Sequence, residues 1–139
     1  MIELEIHTPF SATPAFLRQW QIQIQSLRRY GGRIGNSVQF HGWISRDQPE
    51  RDLRKEHPWL RDPDIFLHWV DPALFEKHSY WGTAIARGSH THRARWVLYL
   101  DADVAVVGEL DSLFAELEAN PAICGFPAHL DCFANDSSA

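Results

Sequence analysis

Trp96-Val-Leu-Tyr-Leu100 is an unbroken apolar run, rich in strand formers and closed by Asp101-Ala-Asp103. A strand that lacks polar alternation needs cover on both faces, which is the condition of a strand inside a parallel α/β sheet. The rest of the chain has to supply the partner strands and the covering helices. Its punctuation is consistent with that demand.

Ile2 to His7 alternates apolar and acidic residues with period 2, and Thr8-Pro9 follows as a break. Thr13 is placed to cap a helix whose first position is Pro14. Phe16, Leu17, Trp20, Ile24 and Leu27 then form one apolar stripe. Arg28-Arg29 suit the last turn of that helix, and Gly31-Gly32 stop it. Ser37 to Ile44 predicts a second strand and Ile65 to Val70 a third, ended by Asp71-Pro72. A short helix is expected over Arg51 to Glu56 and another between Tyr80 and Arg87. Asp111 is expected to cap a helix bearing Leu113, Phe114 and Leu117, which Asn120-Pro121 ends, and Ile123 to Phe126 reads as a fifth strand. Strands alternating with helices predict a mostly parallel α/β sheet with right-handed crossovers.

The chain of 139 residues fits a single domain, residues 1–139. A net charge of −5, with no basic stripe beyond His90-Thr-His-Arg-Ala-Arg95, argues against nucleic acid as a partner. No apolar run reaches the ~20 residues of a membrane span. Acids in Met1 to Ile6 replace the basic start of a signal peptide, so a reduced, cytoplasmic setting is expected. Cys124 and Cys132 fit neither a disulfide scaffold nor a common zinc spacing.

Asp101 and Asp103 fall at the carboxyl end of the apolar strand, where open α/β sheets bind their ligands. Two neighbouring carboxylates repel, and a hard divalent cation such as Mg²⁺ or Mn²⁺ removes that penalty. Such a cation also neutralises charge on a departing diphosphate. The alternative for the pair is a solvated turn. His90 and His92 share a side if extended and then suit a metal, against the commoner role of loop histidines. Gly31-Gly32-Arg-Ile-Gly35 follows a helix rather than a strand, which discounts it as a phosphate loop. Trp20, Trp69 and Trp96 are expected in the core, while Trp43, Trp59 and Trp81 have no evident place.

Val97-Leu-Tyr-Leu-Asp-Ala-Asp-Val-Ala-Val-Val107, followed by Gly108-Glu-Leu-Asp-Ser-Leu-Phe114, resembles the DxD region of GT-A fold glycosyltransferases. Ser26-Leu-Arg-Arg-Tyr-Gly-Gly32 is similar to the end of that family's first helix. The resemblance implies a Rossmann-like sheet with helices on both faces, incomplete at its C-terminus, and a short strand after the DxD. It implies that Asp103 ligates Mn²⁺ or Mg²⁺ and that Asp101 meets the donor ribose or a metal-bound water. The donor implied is a nucleotide-sugar, a UDP-sugar by preference, with an unspecified acceptor. By the same resemblance His7, Thr8 and Pro9, in the loop after the first strand, correspond to the region that meets the base, and Asp71 and Arg87 approach the nucleotide. Asp71 suits a strand-ending turn equally well, and Arg87 a surface position. The acceptor half is missing, leaving only His129 and Asp131 for its duties, so a donor-binding part with little activity is expected.

Two other readings stand beside it. A degenerate GT-A-like module would bind nucleotide without catalysis. A haloacid-dehalogenase-like phosphatase would use Asp101 as nucleophile and Asp103 as general acid. Ala105 and the lack of any lysine after Lys77 depart from that family's pattern.

Overall fold

The structure is a computed structural model and describes residues 2–46, 49–78 and 82–121. Among these residues it is an α/β fold with one all-parallel sheet of four strands: β1 (Leu4–Ser11), β2 (Val38–Ser45), β3 (Ile65–Trp69) and β4 (Trp96–Tyr99). Their order in the sheet is β3-β2-β1-β4. The helices are α1 (Pro14–Tyr30), α2 (Leu53–Glu56), α3 (Pro72–His78), α4 (Gly82–Gly88) and α5 (Asp111–Ala119). Single 3₁₀ turns occupy Ile34–Asn36 and Pro58–Arg61. The expected fifth strand and both cysteines lie outside the described residues, as do Trp81, His129 and Asp131.

Alternation along the strands sorts the side chains into two layers. Leu4, Ile6 and Phe10 of β1, Phe40 and Ile44 of β2, and Ile65 of β3 are buried in the apolar core with α1. The α1 stripe answers with Leu17, Trp20, Ile24 and Leu27. The Thr13 hydroxyl accepts from Phe16 N, and Pro14 opens the helix, as the sequence predicts. Trp96 joins this layer and meets Phe114 of α5 at 5.6 Å between ring centres. On the opposite face α4 brings the Arg87 guanidinium over the Tyr99 ring. Helices therefore cover both faces.

Three expectations need correction. β1 does not stop at His7 but continues through Pro9 to Ser11. Proline is tolerated because its missing N–H is not needed: Glu3 and His7 offer their carbonyls to β4, and Pro9 faces the same side beyond the last β4 bond, Leu100 N to His7 O. The apolar run Trp96–Leu100 is not fully covered on both faces. β4 pairs with β1 alone among the described residues and is half-exposed, whereas β1 pairs on both sides. Asp111 does not cap its own helix. Its carboxylate accepts from Arg33 N at 2.8 Å and Ile34 N at 2.9 Å, fixing the turn after α1.

Candidate functional site

Asp101 and Asp103 follow directly on β4, and both are exposed. What positions them is Gln23, a fully buried amide in the apolar stripe of α1. Its Nε2 donates to Asp101 O at 2.7 Å and to Val104 O at 3.1 Å, while its Oε1 accepts from the Thr8 hydroxyl at 2.8 Å. One turn further along, Ser26 Oγ accepts from Val106 N at 2.9 Å. Two polar side chains of α1 thus hold residues 101–106 as a defined turn, closed by Val104 N donating to Asp101 O. Val104–Val107 runs on as an irregular segment, not the short strand that the resemblance implies.

The other predicted contacts fall as follows. Thr8 is buried inside β1, its hydroxyl committed to Gln23, and Pro9 is half-buried in the same strand. The loop after β1 begins at Ala12, so neither residue is a loop residue. Asp71 Oδ1 accepts from Ala73 N at 2.9 Å, the turn role that the sequence also allowed, at the start of α3. Arg87 Nε donates to Thr83 O, and its guanidinium lies 5.1 Å from the Tyr99 ring centre. Burial lowers the Arg87 pKa, and the neighbouring Tyr99 and Asp101 oppose that shift. Arg87 and Asp101 are therefore brought together; Asp71 is not among the charges acting on Arg87.

A second cluster, on the sheet face away from α1, went largely unread in the sequence. His7 pairs in register with His41 on one side and Tyr99 on the other, and His41 pairs with Phe66. The His7 and His41 rings stack at 4.6 Å and 7°, and His41 stacks on His68 at 5.2 Å. His90 and His92, on the segment from α4 to β4, lie over them, with His90 5.4 Å from His7 and 5.2 Å from His41. They are not solvated loop residues. Trp43, unplaced by sequence, stacks on His68 at 4.2 Å.

Glu5 is the anion of this layer and is only 1% exposed. Its Oε1 accepts from Arg93 N and Ala94 N, and its Oε2 contacts His7 Nε2 at 3.2 Å and His92 Nδ1 at 3.0 Å. Burial alone would raise the carboxyl, but these donors together hold it down at about 2. For the histidines burial dominates: His7 and His68 are pushed down to about 4 and His41 to about 3, so all three are neutral near pH 7. The tautomers follow from the partners. Trp43 Nε1–H donates to His7 Nδ1 at 2.9 Å, so His7 carries its proton on Nε2 and donates it to Glu5. His41 Nδ1 and His68 Nε2 share one proton across 2.9 Å. His41 Nε2 is buried with no hydrogen-bond partner among the described residues.

The signals for these residues were present in the pattern. Gln23 and Ser26 interrupt the core-facing stripe of α1, and His7, His41 and His68 each sit one residue out of step with their strand's apolar positions. Comparison with known protein families, with curated proteins and with solved structures gives no match, so the chemistry rests on geometry. No helix among the described residues is long and apolar enough to cross a membrane.

Proposed function

We propose that this chain is the donor-binding part of a nucleotide-sugar-dependent glycosyltransferase, taking a UDP-sugar with Mn²⁺ or Mg²⁺. The observation that carries the reading is where Asp101 and Asp103 stand. In the order β3-β2-β1-β4 the chain moves outward from β1 on one side, then returns to β1's other side, so the switch point lies between β1 and β4. Ligands of open α/β sheets collect beyond the carboxyl ends of strands at such a point. The two exposed carboxylates follow β4 there, in a turn fixed by Gln23.

The donor set fits a hard cation. Both groups offer carboxylate oxygen, and phosphate oxygens and water would complete the shell. Asp103 is assigned as the direct ligand, with Asp101 toward the ribose or a metal-bound water. A cation so held would supply positive charge to the diphosphate as it leaves. Arg87, which feels the charge of Asp101, would meet a phosphate oxygen in this reading. The acceptor and the cytoplasmic setting remain part of the proposal.

Titrating UDP- and GDP-sugars with and without Mn²⁺, read by melting temperature, tests it. The expected result is metal-dependent stabilisation by the UDP-sugar that Asp103→Ala abolishes. Stabilisation indifferent to both metal and Asp103 would replace the reading with a non-catalytic nucleotide-binding module.

A further inference from the structure

The histidine layer is remote in role from the acidic turn and points to a different ligand. Among the described residues, the donor atoms of Glu5, His7, His41 and His90 all lie within 4.8 Å of one another. A tetrahedral shell with bonds near 2.1 Å separates its donors by ~3.4 Å, so a contraction of little over 1 Å would close the group on one ion. Two of the imidazoles have nitrogen to offer. His41 Nε2 is a buried atom without a hydrogen-bond partner among the described residues, and the His90 ring makes no hydrogen bond among them, only ring contacts.

The proton on the other side of His41 matters as much as its lone pair. If Nδ1–H donates to His68 Nε2, then Nε2 is a bare lone pair, held in orientation as metal-bound histidines are by their outer partners. Among the described residues that lone pair faces no donor, which is costly for a residue 5% exposed. A cation relieves it. Glu5 supplies the negative charge and becomes available when His92, half-buried at the rim, gives up its bond to Oε2.

His7 has a different part. With Trp43 donating to Nδ1, a metal on Nε2 would leave the ring an anion, so His7 keeps its proton and orients Glu5. Access agrees with this division. A surface groove of about 410 Å³ is lined by Glu5, His41 and His90, among others, and His7 is not part of it.

We propose that Glu5, His41 and His90 bind one divalent cation of the imidazole-preferring class, Zn²⁺ or Co²⁺, with His7 positioning Glu5 and a fourth site open to the groove. Neutral imidazole with a single carboxylate selects this class over Mg²⁺ or Ca²⁺. The ion fastens β1 and β2 to the segment that leads into β4. It is independent of the donor-binding reading.

Co²⁺ titrated into the metal-free full chain tests the proposal. The expected result is one equivalent bound with visible d–d bands of a four-coordinate ion, lost in His90→Ala and kept in Asp103→Ala. Saturating Zn²⁺ is expected to raise the melting temperature by roughly 5–10 °C. Absence of both effects overturns the proposal, as do bands that follow Asp103 instead of His90. Chemical modification needs no variant: saturating Zn²⁺ protects His90 from diethyl pyrocarbonate, and His90 modified at the metal-free rate overturns the assignment.

Discussion

Gln23 shows how a single buried amide can set a turn that begins 78 residues further along the chain. It is fully buried, spends its oxygen on Thr8 and divides its NH₂ between the Asp101 and Val104 carbonyls. Gln23→Leu fills the same space, removes the Gln23 bonds of the Thr8 hydroxyl and the Val104 carbonyl, and takes away one of the two donors to Asp101 O. Chemical denaturation should then show a loss of about 2–4 kcal/mol. Because the turn that presents Asp101 and Asp103 loses its anchor, Mn²⁺-dependent binding of a UDP-sugar should weaken as well. Leucine here with full metal-dependent binding would show that the turn holds itself.

Among the elements, β2 passes close beneath α1 at Gly42. A Cβ built there would come 2.7 Å from Trp20 Cη2 and 2.9 Å from the Phe10 ring. Both are large, well-packed rings, so Gly42→Ala should cost ~1–3 kcal/mol by overpacking. Gly42→Ala with Trp20→Phe should recover part of that loss in the same denaturation experiment. A neutral Gly42→Ala would mean that α1 can move off the sheet. The strands and α1 were legible because their apolar periods are strong and α1 carries a Thr-Pro cap and a Gly-Gly stop. Where polar residues entered, reading from one element at a time failed. Glu5 and His7 look like the solvated half of an alternating strand, yet they are buried because the segment after α4 folds over them. Asp111 looks like a cap for the helix it opens, yet it is used by a turn 77 residues earlier. The acidic turn was visible in sequence because its residues are adjacent. The histidine layer was not, because four separate segments build it.

At the scale of the whole molecule the histidine layer sets an acid limit in metal-free protein. In the fold His7 and His68 are pushed down to about 4 and His41 to about 3, against an ordinary value of 6.5. Between pH 6.5 and about 4 the unfolded chain therefore binds more protons than the folded one, and stability falls as pH falls. Glu5, held at about 2 against 4.5, acts in the same direction from pH 4.5 downward. Melting temperatures in chelator should be flat above pH 7 and fall steadily below about 6.5. His68→Phe, which removes one of the late-protonating rings, should make that fall shallower. An unchanged slope would assign the acid limit to other groups.

The register of β1 carries a consequence for how the chain assembles. Leu4 to His7 pairs with Trp96 to Tyr99, and the Glu5 carboxylate takes its backbone donors from Arg93 and Ala94, 88 and 89 residues away. Contacts of that separation are slow to form, since most of the loop entropy is lost before they repay it. During synthesis β1 can find β2 early but must wait for β4, with a charged carboxylate and a row of imidazoles still wet. The strand at the centre of the sheet is the first of the four to be made and the last to be completed.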